Sequence, residues 1–160
     1  MIRFSPKKLR EFNKILFTEP TFDGFLVPEA HFVTSFRTDF GERPAEQASE
    51  GEGAASALPP SPVSWKELRP IALQLVRGTT PPKSFSIVMK LPEDKMQSIF
   101  DACPGEDPSS VSGFYLNVRY AREELMLTSG CTQKTFSLDK TWEKVWDRHV
   151  EEFLSGLGLI

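Results

Sequence analysis

The sequence has little of what metal sites and disulfide scaffolds require. It contains two cysteines, Cys103 and Cys131, and two histidines among 160 residues. No C-x-x-C pair and no H-E-x-x-H motif occurs, so no recognisable zinc motif is present. Two cysteines are also too few for a disulfide framework, which favours a reducing, cytoplasmic location. We therefore expect neither a metal nor a cofactor.

Long apolar runs and an excess of basic charge are also absent. No stretch of about 18 apolar residues, the length of a membrane span, occurs in the sequence. The N-terminal residues 1–8 lack the apolar core of a secretory signal. The formal net charge of −3 argues against a general binder of polyanions. We expect no membrane partner.

The apolar residues that are present follow helix and strand periods. Thirteen phenylalanines are spread through these periodic segments and are typical of core positions. Ser5 and Pro6 favour the start of a first helix, and the period-two alternation over 30–38 predicts a half-buried strand. Ser64, followed three residues later by Glu67, resembles a capping box at the start of a second helix.

The pattern in the second half of the chain predicts one strand, a helix, three further strands and a last helix. A helix follows Pro92, and Asp139 is expected to cap the last helix. The expected strands cover 85–91, 114–120, 125–127 and 136–138. This order of elements predicts an α+β fold, with a largely antiparallel sheet and helices packed on one face.

Residues 41–63 interrupt the periodic pattern. They contain four glutamates, one arginine and no aromatic residue. Such a segment has little to bury, and it predicts a flexible acidic loop rich in Gly, Ala, Pro and Glu. A domain boundary is the alternative, but residues 1–40 would make a poor independent core. We therefore expect one domain over residues 1–160.

Three cations are candidates for an anion-binding site. Arg77 and Lys83 flank 78–82, a tight connection with two hydroxyls where charge-assisted bonds could hold a phosphate. A helix stop followed by a proline-stiffened linker is the alternative interpretation of this segment. Arg119 is the third cation. With Asp39 these residues would serve a small phosphate-handling or hydrolytic enzyme.

Two polar rows form a second candidate site. His31, Arg37 and Asp39 face one way along the early strand, and a later strand carries a polar row of Tyr115, Asn117 and Arg119. If these faces coincide, they line a polar cleft. A solvated sheet face, which antiparallel sheets commonly have, is the alternative.

A basic face on the first helix is a candidate partner surface. Lys7, Lys8, Arg10 and Lys14 could contact an acidic protein or nucleic acid, although such a charge run is usually only solvated. Cys131 lies in an apparent hairpin turn, where it is either a reactive thiol or an ordinary turn residue.

The segment 85–138 resembles the strand–helix–three-strand unit of the sliding-clamp fold. The resemblance rests on Leu91 before the helix, on the strand 114–120, on 125–130 and on a return strand at 134–138. It implies a clamp-like half, and a DNA-associated protein is one function that such a half would suit.

The whole chain also resembles a family of uncharacterised proteins from clostridia-like bacteria, for which no activity is assigned. The acidic segment 41–63 departs from that family. The resemblance is carried by Trp65 with Leu68-Arg69-Pro70, by Gly78 with Thr80-Pro81, and by Thr135-Phe136 followed by Trp146-Asp147.

These observations leave the function open between three classes. The absence of catalytic and cofactor signatures favours a non-enzymatic cytosolic interaction or regulatory module with a protein partner. The alternatives are the phosphate-handling or hydrolytic enzyme and the DNA-associated protein. DNA or RNA binding would depend steeply on salt.

Overall fold

The computed structural model of the chain describes residues 1–41 and 62–160. This part contains four α-helices, two short 3-10 helices and one seven-stranded sheet. The strands are β1 (Arg3–Phe4), β2 (Leu26–Val33), β3 (Arg37–Gly41), β4 (Val63–Ser64), β5 (Ser84–Lys90), β6 (Val111–Ala121) and β7 (Glu124–Gln133). The helices are α1 (Leu9–Thr18), α2 (Trp65–Val76), α3 (Glu93–Asp101) and α4 (Thr141–Gly156), with 3-10 helices at Pro20–Phe22 and Pro108–Ser110.

The strand order is β1-β7-β6-β5-β2-β3, and the short β4 pairs with β2. Every strand pair is antiparallel. Along β5, Phe85, Ile87 and Met89 are buried, whereas the residues between them remain partly exposed. The neighbouring strands alternate in the same way. One face of the sheet is therefore apolar and covered, and the other is polar and open.

The helices cover the apolar face. Phe12 of α1, Trp65 of α2, Ile99 of α3 and Trp146 of α4 share one core with the inward strand residues. This arrangement confirms the predicted α+β fold with a largely antiparallel sheet.

Two predicted helix starts have different outcomes. The Ser64 hydroxyl accepts a hydrogen bond from the Glu67 amide at 3.4 Å, which confirms the cap of α2. The first helix begins at Leu9, so the prediction that it starts at Ser5 and Pro6 is wrong. The reason is that Arg3 and Phe4 pair with β7, and the chain must leave that edge before it can coil.

The strand predicted over 30–38 is two strands joined by a tight turn. The Thr34 amide donates to the Phe36 carbonyl at 2.9 Å and closes the turn between β2 and β3. The alternation of side chains runs unchanged through the turn, and no Gly, Pro, Asn or Asp marks it. The period-two pattern therefore did not indicate the hairpin.

The predicted return strand at 134–138 is also wrong. This segment has no strand, and Phe136 and Leu138 are 92% and 86% exposed. The edge of β7 that a return strand would need is paired with β1, where Phe4 lies opposite Leu127. The clamp-like unit therefore lacks its third strand.

The ends of the predicted acidic loop belong to the sheet. Gly41 is the last residue of β3 and Val63 is the first residue of β4, so the predicted bounds 41–63 are too wide. The prediction of a flexible loop now concerns 42–61, which lies outside the described residues.

Candidate functional site

The register of the sheet brings the two predicted polar rows together on the open face. His31 of β2 lies opposite Ser86 of β5, and Ser86 lies opposite Arg119 of β6. β5 is the only strand between the two rows, and its outward side chains here are small. A concave patch of about 430 Å³ results, lined by residues that include His31, Arg37, Ser84, Ser86 and Arg119.

Carboxylates occupy both ring nitrogens of His31. Its Nδ1 lies 2.7 Å from Asp39 Oδ1, and its Nε2 contacts Glu29. Hydrogen bonds to Glu29 and then Asp39 raise the pKa of His31 above its ordinary value. Arg37 Nε donates to the same Asp39 oxygen at 2.9 Å, and this bond, followed by that to His31, lowers the pKa of Asp39.

The pKa values of the two histidines should lie on opposite sides of the ordinary value near 6.5. We expect the NMR-measured pKa of His31 to lie above that value. His149, whose pKa is lowered chiefly by burial, should titrate below it. A His31→Gln variant assigns the two curves. Coincident curves in the wild type would contradict the paired geometry of His31.

The raised pKa of His31 also fixes the sign of its effect on stability. Its stabilising contribution is complete below the unfolded-state pKa, about 6.5, and is lost as pH rises through the raised folded pKa. The lowered pKa of Asp39 acts oppositely, and its contribution is lost as pH falls through that value. Both effects are small, since the side chains of His31 and Asp39 are 30% and 51% exposed.

Arg119 differs from the other cation of the patch, Arg37, in having no carboxylate partner among the described residues. It is exposed, and within residues 1–41 and 62–160 no acidic oxygen lies within salt-bridge distance of its guanidinium. Ser86 is its cross-strand neighbour. A free guanidinium beside hydroxyls can hold a carboxylate or phosphate oxygen through charge-assisted bonds.

The structure brings the predicted anion-binding residues together only in part. Arg119 lines the patch, whereas Arg77 and Lys83 do not. Both are exposed in the connection between α2 and β5, which enters the sheet where Ser84 pairs with Val33. They lie near one end of the sheet instead of inside the concavity, because both residues precede the first residue of β5.

The predicted basic face is exposed at each of its positions. Lys8 contacts Glu11 at 3.2 Å, and this surface pair satisfies one of the cations. Lys7 and Lys8 precede α1, while Arg10 and Lys14 lie one turn apart on it. The face is arranged like a solvated surface.

A second concave region lies on the helix side, where sequence reasoning identified no site. Clefts of about 290 Å³ and about 170 Å³ adjoin at His149 on α4. The His149 ring stacks on Trp146, with centroids 5.5 Å apart and planes at 17°. The position of His149 beside the apolar row of α4 was the available signal.

Comparison with family models gives one match. The model of a family of unknown function, DUF5721, matches residues 15–159. The chain belongs to DUF5721. Comparison with the curated proteins and with the solved structures gave no match. The expectation that the chain belongs to a family without an assigned activity is confirmed.

Three of the residues that suggested a family, Trp65, Arg69 and Trp146, have structural contacts in this DUF5721 chain. Trp65 is fully buried, and Arg69 forms a two-bond ion pair with Asp23. Trp146 donates its indole N–H to the Tyr115 carbonyl at 2.8 Å. We infer that Trp65 and Arg69 hold α2 against α1 and the segment that follows α1, and that Trp146 holds α4 to β6.

Cys131 lies within β7 opposite Phe114, so its prediction as a turn residue is wrong. Burial, followed by the nearby Glu143 and Asp147, raises the pKa of the thiol to about 11. The thiolate, the reactive form, is therefore scarce near neutral pH. Asp147 itself is buried and accepts a hydrogen bond from the Ser129 hydroxyl and another from the Met1 amine at 2.9 Å.

The described part of the chain has two further properties that bear on function. Within it, no group of three or more His, Cys, Asp or Glu side chains is placed to hold a metal ion. None of its helices combines the length and apolarity needed to cross a membrane.

Proposed function

We propose that this DUF5721 chain is a cytoplasmic binding module that holds an acidic segment of a partner protein on the open face of its sheet. The observation that carries the proposal is the Arg119 guanidinium, which has no carboxylate partner within residues 1–41 and 62–160 and lies in a concave patch beside Ser86. An acidic side chain of the partner in that patch would pair with Arg119, as Asp39 already pairs with Arg37.

The chemistry of the patch favours binding over catalysis. His31 is its only imidazole, and both ring nitrogens are engaged by carboxylates. A general base needs a free nitrogen within reach of its substrate, and His31 offers none. Among the described residues that line the patch, Ser84 and Ser86 therefore lack an activating base.

The breadth of the patch favours an extended partner over a small ligand. The concavity spans four strands, β3, β2, β5 and β6, and is lined on one side by Arg37 and on the other by Arg119. A cytoplasmic site for such a module fits the two cysteines, both of which are free thiols.

The test is the binding of a fluorescein-labelled hexaglutamate peptide, followed by anisotropy at low ionic strength. We expect Arg119→Glu to weaken binding about tenfold or more, and added salt to weaken it in the wild type. Arg148→Glu is the matched control. It makes the same charge change on α4, on the other side of the sheet, and should bind like the wild type.

Two outcomes would contradict this function. Equal weakening by the two variants would mean that the peptide senses only net charge. Tighter binding of duplex DNA than of the peptide, lost in Arg119→Glu, would favour the DNA-associated alternative over a protein partner.

A further inference from the structure

The groove on the helix side is large enough for a small organic molecule. Its two clefts, about 290 Å³ and about 170 Å³, share His149 as a lining residue. Ligand pockets in proteins span roughly 300–1,000 Å³. The groove reaches this range only if both clefts are filled by one molecule.

The smaller cleft has a mainly apolar lining. Phe25, Leu116, Val150 and Phe153 contribute to its wall. Leu116 and Val150 belong to the buried core, so the cleft reaches down between α4 and the sheet. Apolar surface of this kind is covered favourably by a hydrocarbon or aromatic group.

The larger cleft carries cations at its rim. Lys144 and Arg148 of α4 line it, and Lys95 of α3 lines the smaller cleft. Glu152 is the one acid among the described residues lining either cleft. In that same part of the chain, none of the three cations has a carboxylate within salt-bridge distance.

We propose that this groove binds an amphipathic organic anion, of the class of medium-chain fatty acids. The hydrocarbon tail fills the smaller cleft against Phe153, and the carboxylate lies in the larger cleft beside Arg148 and Lys144. Charge complementarity selects this occupant, because a neutral apolar molecule would leave the cations unpaired. The site lies on the opposite side of the sheet from the surface proposed to hold an acidic segment.

The test is calorimetric titration of the protein with decanoate and, separately, with decanol. We expect decanoate to bind at least about tenfold more tightly than decanol, since only the acid can pair with Arg148. Arg148→Glu should remove that preference. Ser98→Trp, at an exposed lining position of the larger cleft, should block decanoate sterically. Both positions are exposed, and unchanged thermal melting of the variants checks that they fold.

NMR places the ligand. Decanoate should shift the side-chain resonances of Trp146 and Val150, two residues that line the smaller cleft. Equal affinity for decanol and decanoate would overturn the proposal, as would binding unaffected by Ser98→Trp. A concentration-dependent dimer that dissociates in Ser98→Trp would also overturn it, because a second copy would then be the occupant of the groove.

The two proposals fail separately. Arg119→Glu should leave decanoate binding unchanged, while Arg148→Glu should leave hexaglutamate binding unchanged. If the wild-type protein fails to bind one of the two ligands, that result therefore does not contradict the other site.

Discussion

Replacement of Trp65 by alanine is expected to destabilise the protein by about 3–5 kcal/mol, the range for a large aromatic side chain removed from a core. The total stability of a domain is about 5–15 kcal/mol, so much of it would be lost. Trp65 is fully buried and its ring centroid lies 6.0 Å from that of Phe17. Urea unfolding followed by circular dichroism measures the change.

Trp65 has a second role at the end of α1. Its indole Nε1–H donates to the Leu16 carbonyl at 3.0 Å. In a continuing helix that carbonyl would accept from the amide of residue 20, but Pro20 has no N–H. The indole of α2 therefore satisfies a buried carbonyl that the local sequence cannot satisfy.

A Trp65→Phe variant separates the two roles. It keeps most of the aromatic packing and leaves the Leu16 carbonyl without a donor, which should cost about 1–3 kcal/mol. Trp142→Phe is the matched control. The indole of Trp142 donates to the backbone carbonyl of Asp107, which also accepts from the amide and hydroxyl of Ser110. Equal losses in the two variants would show that the Leu16 bond has no special weight.

Removal of the Arg69 guanidinium should have the second largest effect, about 2 kcal/mol, within the range of about 1.5–3 kcal/mol for hydrogen bonds to charged groups. Arg69 Nε and Nη2 lie 2.8 Å and 3.0 Å from the two Asp23 oxygens. The side chains are 23% and 14% exposed, so the pair is shielded from solvent. Arg69→Met strands the Asp23 carboxylate in a partly buried position, which carries a desolvation cost.

A double-mutant cycle with Asp23→Asn isolates the pair, and the surface pair Lys8–Glu11 is its control. The coupling energy for Arg69 and Asp23 should reach about 1 kcal/mol or more, the size found for residues in one polar network. Removal of the Lys8 pair should cost less than about 0.5 kcal/mol, because its side chains are 67% and 54% exposed. Equal couplings would refute the role assigned to Arg69.

Local signals in the sequence were sufficient where the residues that act together lie within a few positions of each other. Ser64 capped α2 as its spacing from Glu67 predicts. The prediction that Asp139 caps α4 is wrong by one residue, because Lys140 occupies the cap position, although the Asp139 carboxylate still accepts a hydrogen bond from the Thr141 amide. The alternation in β5 correctly predicted which of its residues face the core.

The two turns show how uneven local signals are. Arg122 and Glu123 both have positive φ in the two-residue turn between β6 and β7, a conformation usually given to Asn or Gly. The sequence nevertheless indicated that turn, because the apolar alternation changes there. The turn at Thr34–Phe36 left the alternation intact and so remained invisible.

The sequence by itself determined the α+β class, the sheet face that is buried, and the absence of a recognisable metal motif. Only the tertiary structure decided that β1 occupies the edge of β7, which excludes a return strand and leaves Phe136 exposed. It also decided that β5 lies between the two polar rows and that α3 and α4 leave a groove. These features depend on which strands and helices become neighbours, and contacts between distant residues decide that, whereas periodicity reports only on residues near in sequence.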